Sequence, residues 1–127
     1  MTVYFKWLDE YSLGVQEIDD QHKFMFQLAN EIQFSELSDG KKYADKLYNY
    51  TKWHFSVEEK YFSELKSPHL MKHMEMHNIL LEGLVSIMDD GLSTYEDLEK
   101  LKAYYLKWLV EHILYQDRKA FREQLAR

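Results

Sequence analysis

The sequence has no cysteine. Disulfides are therefore excluded, and so are thiolate-ligated zinc and iron–sulfur sites; any metal must be held by histidine nitrogen and carboxylate oxygen. A cysteine-free chain fits a reducing compartment, and the cytoplasm is the expected location. Turn formers are also scarce. One proline and four glycines in 127 residues favour long helices over a turn-rich β fold. No run of ~18 apolar residues is present, so no membrane span is expected. No basic segment followed by an apolar run stands at the start, so no secretory signal is expected either. Positive charge is in deficit: 16 Lys and Arg against 22 Asp and Glu leave a formal charge of −6. That balance argues against a basic face tracking nucleic-acid phosphates.

What is present is apolar, aromatic and helical in pattern. Hydrophobic residues make up 46% and aromatics 16%, enough large rings to fill the core of a small bundle. One domain over 1–127 is expected, with an N-terminal arm (1–16) and a helical bundle (17–127). The arm holds Tyr4, Phe5, Trp7, Leu8, Tyr11, Leu13 and Val15, too apolar to be left solvated. It should pack across the bundle. A first helix is predicted over Glu17–Gln33 with Ile18, His22, Met25, Ala29 and Ile32 inward. A loop follows over Ser35–Gly40. A second helix over Lys41–Lys66 buries Leu47, Thr51, His54, Glu58, Tyr61 and Leu65. A third over Leu70–Met88 turns Leu70, His73, His77, Leu80, Leu84 and Ile87 inward, with Gly83 permitting close packing. A fourth starts at Ser93 or Thr94 as N-cap, with Glu96 or Asp97 in its first turn, and buries Leu98, Leu101, Tyr105, Trp108 and His112. The fold class is all-α, an up-down-up-down four-helix bundle.

The chemistry gathers between His54 and His77. Residues four apart share a helix face, so His54-x3-Glu58 and His73-x3-His77 are two two-pronged sets. Pro68 separates them onto different helices, which fold back antiparallel so that both sets face one interior point. By itself, His54-x3-Glu58 reads as a surface pair, and a lone His22 or His112 reads as a core-edge histidine with a hydrogen bond. The case is joint: five of the six histidines fall on predicted inner faces, spread over all four helices. Only His69, in the loop after Pro68, is expected in solvent. Buried polar groups need partners, and a metal centre satisfies them together. His22, His54, Glu58, His73, His77, His112 and Asp117 are too many for one tetrahedral zinc and suit two octahedral ions sharing carboxylates. Imidazole alone does not choose among iron, copper, nickel and zinc.

The spacing of His112 and Asp117 carries a separate expectation. Five residues apart in a regular α-helix, they diverge by about 140° at ~100° per residue. A shift of phase at Asp117 would put Asp117, Phe121 and Leu125 on one inward line. One extra residue in a turn is what a π-bulge supplies, so a π-type turn or local distortion is predicted between His112 and Asp117.

These residues resemble the hemerythrin family in its stand-alone bacterial form. The resemblance rests on Trp7, Gly14-Val15, Ile18-Asp19, Gln21-His22, His54-Phe55-x2-Glu58-Glu59, His73-x3-His77 and Trp108-Leu109-Val110-Glu111-His112-Ile113-x3-Asp117, nearly the whole chain. It implies a non-haem di-iron centre with an oxo or hydroxo bridge that binds O2 reversibly, without substrate turnover. One iron would take His73, His77 and His112, the other His22 and His54, with Glu58 and Asp117 bridging. Phe55, Trp108, Leu109 and Ile113 would form the apolar O2 pocket. At Ala120, three past Asp117, some members carry Tyr, so a hydrogen bond from that phenol is missing here. O2 is the expected ligand of a monomer that binds neither nucleic acid nor membrane. The rival is a di-iron enzyme: an oxidase, a peroxide-handling protein or a nitric oxide reductase. Oxygen-activating sites in ferritin-like bundles use mainly carboxylates with Glu-x-x-His pairs, and none falls on an inner face here.

Overall fold

In a computed structural model, residues 6–34 and 36–125 are described, with side chains over 6–32 and 36–123. Four long helices account for the bundle: α1 (Gln16–Phe34), α2 (Gly40–Glu64), α3 (Leu70–Asp89) and α4 (Tyr95–Glu111). A π-helical turn, His112–Asp117, continues α4 into α5 (Arg118–Leu125). Among the described residues there is no strand, and no helix is long and apolar enough to cross a membrane. Helix α1 packs on α2 and α4, and α3 closes the ring against the same two. That is the antiparallel bundle read from the sequence.

The ends of the helices follow local chemistry. Thr94 caps α4: its hydroxyl accepts from Asp97 N–H at 3.1 Å, and the Asp97 carboxylate accepts from Thr94 N–H at 3.1 Å and Ser93 N–H at 3.0 Å. Such a reciprocal box satisfies donors that a helix start otherwise leaves open. Helix α2 stops at Glu64, two residues before the expected end, because Lys66 takes a left-handed backbone at φ 53°. Lys66 N–H then bonds to the Ser63 carbonyl and Ser67 N–H to the Phe62 carbonyl. Those two bonds satisfy the last carbonyls of α2 and reverse the chain before Pro68.

Most of the expected inner stripes are buried, including Ile18, His22, Met25, Ala29 and Ile32 on α1. Helix α2 departs after Glu58. Phe62 takes the core position, while Tyr61 is half-buried and Leu65 is exposed. The step from Glu58 is four residues, not three, as a 3.6-residue period requires somewhere along seven turns. Trp108 is half-buried, and Leu109 beside it is fully buried. On α3, Gly83 faces the Tyr104 ring; a Cβ there would stand 2.0 Å from the phenol oxygen. The close packing expected at that glycine is therefore between α3 and α4.

The arm docks as expected over its described part. Trp7 and Tyr11 pack on Phe26 of α1 with ring centroids 5.8 and 5.6 Å away. Ser12 Oγ and Leu13 N–H both donate to the Asp19 carboxylate, at 2.7 and 2.8 Å. Leu8 is exposed and does not join this packing. Tyr4 and Phe5, and the side chain of Leu125, lie outside the described residues.

Candidate metal centre

All seven polar side chains expected inside the bundle are buried, each less than 5% exposed. They come from α1, α2 and α3 and from the π-turn that continues α4. His22 stands in the second turn of α1. His54 and Glu58 are one turn apart on α2, and His73 and His77 one turn apart on α3. His112 and Asp117 open and close the π-turn.

That turn brings the last pair together. Arg118 N–H bonds to the carbonyl of Ile113, five residues back, so the turn is wider than an α turn. His112 Nε2 and Asp117 Oδ1 end 3.0 Å apart, where a regular helix would point them away from each other. The expected distortion is present. Phe121 is buried behind Asp117, in the shifted phase.

Each carboxylate reaches two sets of histidines. Asp117 Oδ1 lies 2.9 Å from His73 Nε2 and 3.0 Å from His112 Nε2, while Oδ2 lies 3.6 Å from His22 Nε2. Glu58 Oε1 lies 3.2 Å from His54 Nε2 and 3.5 Å from His77 Nε2, while Oε2 lies 3.8 Å from His22 Nε2. Two cation-sized groups result. Glu58, His77, His112 and Asp117 each offer a ligand atom within 4.8 Å of the others, and so do His22, His54 and Glu58. His73 joins the first group through Asp117. Glu58 belongs to both.

The inward atoms are short of partners. His54 Nε2, His77 Nε2, His112 Nε2, both Glu58 oxygens and Asp117 Oδ2 are buried without a hydrogen bond. Leaving one buried polar atom unsatisfied costs roughly 1–3 kcal/mol, so six converging on one space call for a ligand. A pair of divalent cations fits the donor set: histidine nitrogens and two anionic carboxylates, with lone pairs turned to the same interior.

The outward ring atoms explain why the inward ones are free. His54 Nδ1 lies 2.6 Å from Gln21 Oε1, and His77 Nδ1 lies 2.8 Å from Glu59 Oε2. His73 Nδ1 lies 3.3 Å from the carbonyl oxygen of His69. With the proton on Nδ1, each ring keeps its Nε2 lone pair for a cation. Gln21 and Glu59 carry no ligand spacing, and reading inner faces alone misses them. The available signal is adjacency, since each is next to a residue expected at the metal.

Burial and neighbours set the charges. Burial, with the nearby His54 ring adding to it, pushes His22 down to about 4, so it presents a lone pair at neutral pH. Burial alone would lower His77, but the neighbouring carboxylates of Glu58 and Glu59 push it up to about 9. Without metal, His77 therefore holds a proton that a cation would displace. Burial opposes ionisation of Glu58 and Asp117, yet the histidines around them hold both below the usual carboxylate range.

Aromatic rings pack against the site. Phe55 stacks on His77 at 3.7 Å with the planes 1° apart, and Trp108 on His112 at 4.4 Å and 17°. Leu109 and Ile113 are buried in the same stretch as Trp108. Below, Phe62 packs on His73 at 4.7 Å and on Phe121 at 5.0 Å. Ala120 is buried and brings no hydroxyl. A cleft bordered by Met76, Trp108, Glu111, His112, Tyr115 and Gln116 leads from His112 outward. His69 corrects its expectation: it is partly buried and pairs with Glu123 of α5 at 2.5 Å. Being in a loop did not leave it in solvent, because α5 returns over the α2–α3 turn.

A four-helix bundle with a buried, histidine-rich, two-carboxylate cation centre defines a recognisable class. The hemerythrin HHE cation binding domain matches residues 13–123, and the chain belongs to that family. It is 29% identical to a bacteriohemerythrin of Clostridium acetobutylicum, over 90% of this chain and 96% of that protein. It is 24% identical to a bacteriohemerythrin of Stenotrophomonas maltophilia, over 94% and 80%. A hemerythrin-like protein of Naegleria gruberi is 28% identical over 91% and 89%.

Proposed function

We propose that this protein binds O2 reversibly at a non-haem di-iron centre, for storage, delivery or scavenging, and that residues 1–127 form one hemerythrin-like domain acting as a monomer in the cytoplasm. The observation that carries the reading is the set of buried inward atoms without partners around two cation-sized spaces. His73, His77 and His112 would hold one iron and His22 and His54 the other, with Glu58 and Asp117 bridging. Held there, two ferrous ions would supply the two electrons that reversible O2 binding borrows and returns.

The chain's own residues do the rest. Glu58 and Asp117 each face both histidine sets, so one carboxylate can span two ions. Gln21, Glu59 and the His69 carbonyl hold three rings in the orientation that presents Nε2. Phe55, Trp108, Leu109 and Ile113 would keep water and proton donors from the open position, slowing irreversible loss of electrons. A site with five neutral imidazoles and two carboxylates stabilises highly oxidised iron less than a carboxylate-rich one, which favours binding over turnover.

The deciding experiment is an absorption spectrum of the reduced, iron-loaded protein while O2 is admitted and withdrawn. A visible charge-transfer band that comes and goes over several cycles is expected. Irreversible oxidation with continuing O2 uptake would make the protein an oxidase instead. Leu109→Ala tests the dry pocket. It should keep iron and oxidise irreversibly about tenfold faster, one 1.4 kcal/mol step in barrier; an unchanged rate removes Leu109 from that role.

A further inference from the structure

The two halves of the centre are braced by unlike groups. His77 Nδ1 faces the carboxylate of Glu59 at 2.8 Å. His54 Nδ1 faces the carboxamide oxygen of Gln21 at 2.6 Å. His73 Nδ1 has only a backbone carbonyl, that of His69. Of these three acceptors, Glu59 alone bears a full charge. Its side chain is 26% exposed, while that of His77 is 1% exposed. Gln21 is buried and neutral.

A carboxylate behind an imidazole draws its proton and makes the opposite nitrogen a stronger donor; a carboxamide fixes the ring but adds no charge. Two rings of like orientation therefore present unlike donor strength. His77 lies in the group of His112 and Asp117, and His54 in the group of His22. Glu58 Oε1 sits between them, 3.5 Å from His77 and 3.2 Å from His54, so the asymmetry is not imposed by the bridging carboxylate.

We propose that Glu59 and Gln21 are positioning residues that add an electronic difference to the inequality of three histidines against two, so that the ion on the His77 side gives up its electron first. The inference rests on the di-iron reading. In the step, one electron leaves the His77-side ferrous ion for an external mediator. The Nδ1 proton moves toward Glu59 within the existing hydrogen bond, no bond breaks and no proton is released. The second electron, from the His54 side, leaves at a higher potential.

The test compares iron-loaded wild type, Glu59→Gln and Gln21→Glu by spectroelectrochemical titration with iron content measured on each. Glutamine at 59 can still accept from Nδ1, so a merely structural role would leave the potentials alone. Glu59→Gln should raise the lower potential by about 59 mV, a tenfold change for one electron. Gln21→Glu should lower the upper potential by a similar amount, and either change narrows the gap. Metal-free protein gives an independent reading: the 15N shifts of the His77 ring should move in Glu59→Gln and those of the His54 ring in Gln21→Glu. Both variants loaded with iron and both potentials unmoved would overturn this inference alone. Wild type that takes up no iron overturns the di-iron reading and this inference with it. If Glu59→Gln fails to load, the upper potential of Gln21→Glu decides the matter.

Discussion

Between Ala29 and Ile32 of α1, Ala44 and Leu47 of α2, Leu80 and Leu84 of α3, and Leu98 and Leu101 of α4, the bundle interior is hydrocarbon. Roughly one to four turns away along the same helices, and in the π-turn that continues α4, it is imidazole and carboxylate. The apolar half meets its own needs. A polar pair within it closes on itself, since the buried Tyr105 phenol meets Thr51 Oγ1 at 2.8 Å, and burial pushes Tyr105 up, so it stays neutral. The polar half does not close, because its inward atoms lack partners. The contrast separates two sources of stability: one half is held by packing, and the other by whatever cation fills it.

The sharpest break of that contrast is removal of a ligand. His77→Ala should lose iron, whereas His69→Ala should keep it, because the His69 backbone carbonyl that braces His73 survives the change. Full iron retention in His77→Ala would sink the ligand assignment. Stripping iron from the wild type should cost about 4 kcal/mol if the free ion stood a thousandfold above its dissociation constant. Hydrogen exchange should then rise around His73, His112 and Asp117 while the amides near Leu47 and Leu84 stay protected. Uniform loss of protection would show that the halves do not act separately.

A core truncation probes the other half. Leu80 is fully buried on α3, one turn from His77. Leu80→Ala should cost about 3 kcal/mol through lost burial and the cavity left behind, and iron stoichiometry should be kept. Loss of iron in this variant, measured under conditions where it is folded, would mean that packing in the apolar half sets the ligand geometry.

Much of this arrangement was legible in the sequence, for a physical reason. The helices are long, amphipathic and bounded by Pro68, Gly91 and the Thr94 cap, so period and punctuation agree. Ligands on one face at spacings of four declare themselves as inconsistencies in an apolar stripe. The π-turn was legible too, because five-residue spacing conflicts with a common target. Long-range packing was less legible. That α5 returns over the α2–α3 turn to meet His69 is a tertiary fact. So is the packing of Phe121 against both Phe62 and Tyr61. Gln21 and Glu59 were unassigned because their role is a hydrogen bond across helices, and no period records it.

The π-turn itself can be tested by shortening it. Tyr115 is 69% exposed and sits inside the turn. Deleting it leaves His112 and Asp117 four apart, the spacing at which a regular α-helix puts both on one face. The deletion should restore α hydrogen bonding, keep α5 in phase and leave the iron content of the wild type unchanged. Lost iron with an intact fold would show that the wider turn shapes the ligand geometry and does not merely correct the phase.

The smallest expected effect comes from the turn at the polar end. Lys66 is exposed and left-handed at φ 53°. A residue with a Cβ is disfavoured there by roughly 1–2 kcal/mol, and glycine escapes that cost but adds freedom to the unfolded chain. Lys66→Gly should therefore stabilise by a net of about 0.5–1 kcal/mol. The hydrogen bonds of the turn run through backbone atoms of Phe62, Ser63, Lys66 and Ser67, so the substitution leaves them in place. Urea denaturation of loaded and stripped protein should then give the same increment, because φ at this position does not depend on what the histidines hold. An increment confined to the loaded protein would mean that the turn changes shape when the site fills. The path for such coupling is short: His69, three residues on, offers its carbonyl to the ring of His73.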